Sequence, residues 1–238
     1  MTEKLFESDA YLRSCEATLT DVTPEGALVF DRTIFYPQGG GQPGDSGAIE
    51  LANGDTLTIA NTKYSGDRRH IIHIVEGEPT ALVHGEKYTL HLDWPRRYAL
   101  MRSHTALHLL SEAMPYPVTG GQVSEAKGRL DFLLPDADID RDAITAHLNQ
   151  LVEEDHPVTQ EWISDAQLDA NPELVKTMSV QPPRGAGRIR LVRIGEKTDL
   201  QPCGGTHVHT TSEIGRLKLG KIESKGKENR RVRIILED

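Results

Sequence analysis

The chain of 238 residues is 37% hydrophobic and 26% charged with a formal net charge of −9, which describes a globular protein large enough to bury a core without disulfides. Its apolar runs are too short for a membrane-spanning helix, and its acid excess excludes a general nucleic-acid coat. Two cysteines exclude a disulfide framework; with no basic and apolar leader at residues 1–9, a reducing, cytoplasmic setting without a membrane partner is expected.

The first ninety residues read as short strands at residues 16–20, 27–30, 48–51, 57–62, 71–75 and 87–91. Gly, Pro, Asn and Asp separate them, and Asn53-Gly54-Asp55 is a hairpin turn. No helical period intervenes, so a small β-barrel is expected. The segment from Phe35 to Gly47 is unusual because Gly39, Gly40 and Gly41 are consecutive and Gln42 follows them. Such glycines permit close backbone approach and positive φ angles. The segment lacks the Gly-Lys-Ser/Thr of a phosphate-binding loop and the strand-to-helix setting of a dinucleotide fingerprint. A tight inter-strand loop and a backbone platform for a ligand or another domain both fit it.

Asp93, Trp94 and Pro95 mark a helix start, expected to run to about Met114 and to end before Tyr116-Pro117. This helix carries His104 and His108, and four-residue spacing puts the two imidazoles on one face, a turn apart. A second helix is expected over residues 141–154, where Ala143, Ile144, His147, Leu148, Leu151 and Val152 form one apolar stripe. Asn171-Pro172-Glu173 starts a shorter one. Strands return at residues 188–194, 214–223 and 230–236. The expected organisation is a β-barrel domain over residues 1–91 and an α+β domain over residues 92–238. Charge is uneven, with residues 1–90 at −7, 91–211 at −5 and 212–238 at +3. The basic residues of the tail, from Arg216 to Arg233, suit either phosphate contact or a solvated strand face. Oligomeric state is left open.

Cys203 and His207 repeat the four-residue spacing on a glycine-rich loop, as Cys203-Gly-Gly-Thr-His207. Imidazoles plus one thiolate suit Zn²⁺, and two such pairs in one chain coincide by chance far less often than either alone. His104, His108, Cys203 and His207 are therefore the candidate ligands of one zinc ion per chain. A zincin-type protease is excluded, because the glutamate it needs after the first histidine is Thr105 here. Four protein ligands describe a closed structural site, whereas release of one of them gives a site that polarises water or a carbonyl; the sequence leaves both open.

The stretch from Arg102 to Leu110, the stretch from Pro202 to Val208 and the glycine-rich segment together resemble the AlaX alanyl-tRNA editing proteins. These are free-standing relatives of the editing domain of alanyl-tRNA synthetase and, more distantly, of threonyl-tRNA synthetase. The resemblance covers nearly the whole chain, and the barrel region points to the medium-length type. It implies a translation-factor-like N-terminal β-barrel followed by an α+β zinc-containing editing domain. The implied activity is trans-editing: hydrolysis of the aminoacyl ester of Ser-tRNA(Ala) and Gly-tRNA(Ala), with the mischarged tRNA as partner. An alanine-sized pocket cannot exclude glycine by size, and it rejects a substrate with one added hydroxyl by only roughly a hundredfold. Carried over by matching position, His104, His108, Cys203 and His207 are the metal ligands. Thr33 is a candidate partner of the serine hydroxyl, Gln122 a polar residue near the pocket, and Gly39, Gly40, Gly41 and Gln42 a substrate-binding segment. Arg184, Arg188, Arg190 and Arg193 join the basic tail as candidate phosphate contacts. Threonyl-type editing of Ser-tRNA(Thr) and a non-catalytic, zinc-stabilised tRNA-binding module are the alternatives.

Overall fold

A computed structural model describes residues 1–77, 82–134, 139–178 and 187–237. The chain divides into two compact units, Met1–Gly39 with Pro43–Tyr98, and Gly40–Gln42 with Ala99–Asp238.

The first unit contains β1 (Glu3–Lys4), β2 (Ser14–Val22), β3 (Leu28–Phe30), β4 (Arg32–Thr33), β5 (Gly47–Glu50), β6 (Thr56–Tyr64), β7 (Ile71–Val75) and β8 (Lys87–Leu92). Six of these close into a barrel in the order β2-β3-β7-β6-β5-β8, while β1 pairs in parallel with β4. Alternation selects the inward face: Ala17 and Leu19 on β2, and Tyr88, Leu90 and Leu92 on β8, are buried while their neighbours look outward. Phe30, Ile34, Phe35, Ile49 and Ile59 complete the core. Among the described residues of this unit, one ion pair is fully buried, Arg97 with Asp45, each 1% exposed. All six strands expected from the sequence are present, with ends lengthened at some places and, at one end of β3 and of β5, shortened by one residue.

The second unit is α+β. Helix α1 (Trp94–Ala113) begins in the first unit and ends in the second, and the Asp93 side chain accepts the Arg96 N–H at 3.3 Å at its start. Leu100, Met101, Ala106, Leu107, Leu109 and Leu110 are all buried, so the helix is enclosed on several faces. Strands β9 (Val118–Ser124) and β10 (Lys127–Leu133) form a hairpin that joins β14 (Arg216–Ser224) and β15 (Asn229–Glu237) in the antiparallel order β14-β15-β10-β9. A Cβ on Gly128 of β10 would meet the Leu107 side chain at 2.9 Å, which places α1 directly against this sheet. Helix α2 (Arg141–Glu153) is capped by Asp140, buries Leu148, Leu151 and Val152, and packs on β14. A second antiparallel sheet, β11-β12-β13, is built from β11 (Val158–Ile163), β12 (Ile189–Ile194) and β13 (Asp199–Pro202), with helix α3 (Asp165–Asp169) after β11.

Strands β1, β4, β9, β10, β11 and β13 are not expected from the sequence, and two further elements differ from the reading. The helix expected after Asn171 is only a 3₁₀ turn, Pro172–Leu174, with no side-chain cap from Asn171; the capped helix is α3, where Ser164 and Gln167 form a reciprocal capping box. Residues 118–124, given no element by the sequence, form a strand although they contain Gly120 and Gly121; pairing with β10 outweighs the weak strand preference of glycine. The strand expected from Ile214 starts at Arg216, because residues Thr211–Ile214 make a 3₁₀ turn that ends at Gly215 with φ of 75°. No helix among the described residues is long and apolar enough to cross a membrane.

Candidate metal centre

Helix α1 supplies His104 and His108 one turn apart, and the loop after β13 supplies Cys203 and His207. One ligand atom from each of the four lies within 4.8 Å of all the others. The Cys203 Sγ stands 3.5 Å from His104 Nε2 and 3.3 Å from His207 Nε2. All three imidazoles are buried, and the donors converge from three ring edges and one thiol.

Hydrogen-bond chemistry fixes which ring nitrogen faces the cluster. The Thr206 backbone N–H can only donate, and it donates to Gln42 Oε1 at 3.1 Å, so that oxygen is the acceptor that His104 Nδ1–H meets at 2.8 Å. The Thr105 hydroxyl donates to the Met101 carbonyl at 2.9 Å and therefore accepts from His207 Nδ1–H at 3.1 Å. Asp199 Oδ2 accepts from His108 Nδ1–H at 2.7 Å. Every Nδ1 is thus tied outward, and every Nε2 is turned to the cluster. Outward anchoring of this kind orients imidazoles for a cation and raises their basicity.

The four donors also set one another's charge. Burial resists ionisation of Cys203, but the His104 and His207 rings beside it outweigh that and hold the thiol well below its ordinary range. Burial likewise opposes a charged His108, yet the hydrogen bonds to Asp199 and Cys203 raise it to about 9. His207 is held at about 3 by burial and by its neighbour His104. Asp199 resists its own burial through His108 and through Lys176, whose Nζ lies 2.7 Å away, and stays below the usual carboxylate range. The donor set of three imidazoles and a thiolate fits a divalent metal of intermediate softness, so the cluster can hold a metal ion.

The loop itself is clamped. Arg190 Nη1 donates to the carbonyls of Cys203 at 3.0 Å and Gly205 at 2.7 Å, and the Cys203 N–H returns to the Arg190 carbonyl at 3.1 Å. A Cβ on Gly205 would collide with the His104 ring and with Gln42 Oε1, so only glycine admits the two side chains that meet there.

The remaining expected residues lie as follows. Gln42, 1% exposed, is against His104 and Thr206. Gly41, with φ of 83°, accepts the Val123 N–H at 2.8 Å, and Gly40 also has positive φ. Gln122 is exposed on β9 and accepts from Arg129 Nε at 3.2 Å. Gly39 belongs to the barrel unit, where its carbonyl accepts the Tyr36 hydroxyl at 2.9 Å. Thr33 is fully buried in the barrel unit; its hydroxyl donates to His73 Nε2 at 2.8 Å and accepts the Phe35 N–H at 3.0 Å. Among the basic residues, Arg188 stacks over Trp162, Arg193 pairs with Glu161, Arg231 with Asp131 and Arg233 with Glu223. Arg184 lies outside the described residues. Sequence reasoning missed Asp199 and Gln201, although strand alternation was the available signal: residues 199, 201 and 203 fall on one face, and the Gln201 amide donates to Asp199 at 2.9 Å.

Comparison with known proteins agrees with this architecture. Residues 189–233 match the family described as threonyl and alanyl tRNA synthetase second additional domain, and residues 12–96 match tRNA synthetases class II (A). The chain is 35% identical to alanyl-tRNA editing protein AlaX-M of Methanosarcina acetivorans, over 100% of both chains. It is 32% identical to AlaX-M of Saccharolobus solfataricus, over 98% of both. It is also 32% identical to an alanine–tRNA ligase of Pyrobaculum neutrophilum, covering 93% of this chain and 25% of that one.

Proposed function

The chain belongs to the AlaX family of alanyl-tRNA editing proteins, and from that premise we propose that it is a cytoplasmic trans-acting deacylase of Ser-tRNA(Ala) and Gly-tRNA(Ala). Water adds to the aminoacyl carbonyl, the bond from that carbon to the ribose oxygen breaks, and free amino acid and tRNA with its terminal hydroxyl are released. The observation that carries the reading is the four-donor cluster, with each imidazole anchored through Nδ1 and each Nε2 turned inward.

The metal we assign to it is zinc, one per chain, with His104, His108, Cys203 and His207 as ligands, because imidazole and thiolate donors match its preferences. With one of these ligands released, zinc bound there would supply a Lewis acid for the ester; with all four engaged it would hold the shape of the site. The chain's own residues set the rest: Asp199, Thr105 and Gln42 hold the rings, and Arg190 holds the loop that carries Cys203. Gln122 is the proposed contact to the aminoacyl group, and Gly40 and Gly41 a proposed backbone platform for the terminal nucleotide, whereas the Thr33 hydroxyl is taken up by His73 and the Phe35 N–H inside the barrel unit. A site that hydrogen-bonds the serine hydroxyl spares alanine, which would leave the partner unpaired. In this reading residues 1–91 form a barrel domain and residues 92–238 the editing domain.

The test is deacylation of four substrates side by side: Ser-tRNA(Ala), Gly-tRNA(Ala), Ser-tRNA(Thr) and Ala-tRNA(Ala). Release of serine and glycine from tRNA(Ala), with the other two spared, supports the reading. Preference for Ser-tRNA(Thr) would shift it to threonyl-type editing, and binding without any release would leave a tRNA-binding module.

A further inference from the structure

The outward anchors of the three imidazoles have different origins in the chain. Thr105 neighbours His104 on α1, and Asp199 lies on β13, just before Cys203. Gln42 is 62 residues upstream of His104 and 164 upstream of Thr206. It arrives on the glycine-rich segment, whose residues Gly40–Gln42 cluster with the second unit while their flanks on both sides cluster with the first. Two features seat this segment. Gly41 accepts the Val123 N–H at 2.8 Å with a backbone conformation that side-chain-bearing residues rarely adopt, and a Cβ there would meet the Gly121 carbonyl at 2.8 Å. Gln42 then fills a buried slot, its Oε1 taking both the His104 Nδ1–H and the Thr206 N–H, and its Nε2 donating to Thr206 Oγ1 at 2.9 Å.

With its oxygen doubly engaged, one N–H given to Thr206 Oγ1 and only 1% of the residue exposed, this amide is held by protein partners. We propose that Gln42 is a positioning residue for His104, holding its ring in the Nδ1–H form, and that it acts through that ring and not as a contact to the substrate. Seating of the glycine-rich segment and occupancy of the four donors are then coupled, since losing the Gln42 oxygen leaves a buried Nδ1–H without an acceptor and frees the ring to turn. The space opposite is closed by Gly205, where any side chain would strike both partners. This inference rests on the metal reading proposed above, but its test needs no tRNA.

Zinc affinity is measured by competition with a chromophoric chelator for the full-length wild type, Gln42→Leu and Gln42→Glu, with circular dichroism to verify folding. Gln42→Leu removes the acceptor at similar volume and is expected to bind zinc about 10–100-fold more weakly. Gln42→Glu keeps an acceptor oxygen for both N–H groups and adds charge that makes the imidazole more basic; it is expected to bind zinc several-fold more tightly than wild type. The visible bands of the cobalt(II)-loaded protein should change in Gln42→Leu and persist in Gln42→Glu. Affinity within twofold of wild type in Gln42→Leu overturns the proposal, as does Gln42→Glu binding no more tightly than wild type; the second arm stands even if Gln42→Leu fails to fold. Wild-type protein that binds no zinc overturns the metal reading together with this one. Wild type that binds zinc yet releases no serine overturns the deacylase reading alone.

Discussion

Asp45→Ala should be the most damaging single substitution in the barrel unit. The Asp45 carboxylate accepts from Arg97 Nε at 3.1 and 3.0 Å and from Arg97 Nη2, and it takes the Tyr36 N–H at 2.6 Å. Arg97 also donates to the Ala10 carbonyl at 2.8 Å and the Ile34 carbonyl at 2.7 Å. Removing the carboxylate strands a guanidinium in the core, a defect that typically costs about 3–5 kcal/mol. For a chain of this size that corresponds to about 6–20 °C in the thermal midpoint, at roughly 2–4 °C per kcal/mol. The Asp45 N–H also donates to the Tyr36 carbonyl at 3.0 Å, so the same residue closes the base of the glycine-rich segment. Thermal unfolding followed by circular dichroism reads the effect, and Asp45→Asn, which keeps an acceptor oxygen, should lose less than Asp45→Ala. Because the pair is buried, added salt should not close the gap between wild type and variant. A midpoint within 2 °C of wild type for Asp45→Ala, measured under conditions of reversible unfolding, would refute the reasoning.

Two further perturbations separate the units. His73 is buried against Phe30 and Phe35, donates from Nδ1 to the Leu28 carbonyl at 3.2 Å, and is held at about 4 by burial despite that bond. The folded value lies below the unfolded value of 6.5, so the unfolded chain binds the proton first; stability from this group is full above 6.5 and falls by about 3 kcal/mol as pH drops to about 4. Denaturation midpoints across that range should show the fall, and His73→Gln, which does not titrate, should show a shallower one; equal slopes would contradict the assignment. Gly205→Ala should drive its new methyl into the His104 ring. Zinc affinity by chelator competition should drop at least about tenfold, while the acid response assigned to His73 stays as in wild type; unchanged affinity would show that the loop relaxes freely.

The sequence was most informative where a pattern is local. Period-two alternation with turn residues outlined the barrel strands, and Asp93 with the following apolar run outlined α1, because both signals are carried by neighbours. The two four-residue ligand pairs were legible for the same reason, and their convergence followed from donor chemistry before any geometry was known. Strands β9 and β10 were both hidden; Gly120 and Gly121 give β9 no β signal of their own, and its pairing with β10 supplies the order. Gln42 was illegible as a ring anchor, since it acts across a long chain separation and looks like an ordinary loop residue by composition, whereas Asp199 was signalled only by its strand alternation with Cys203. The basic tail illustrates the converse. Its positive sum is local in sequence, yet Arg231 and Arg233 are matched in space by Asp131 and Glu223.

The cluster of His104, His108, Cys203 and His207 is proposed to serve hydrolysis of mischarged tRNA(Ala). Single-turnover release of serine from Ser-tRNA(Ala) by zinc-loaded wild type and by Cys203→Ala, each beside a buffer blank, tests it most directly. Rapid release by wild type, release slowed at least about hundredfold in Cys203→Ala, and sparing of Ala-tRNA(Ala) are expected on this proposal. Wild-type release no faster than buffer, or a Cys203→Ala variant as fast as wild type, would contradict it.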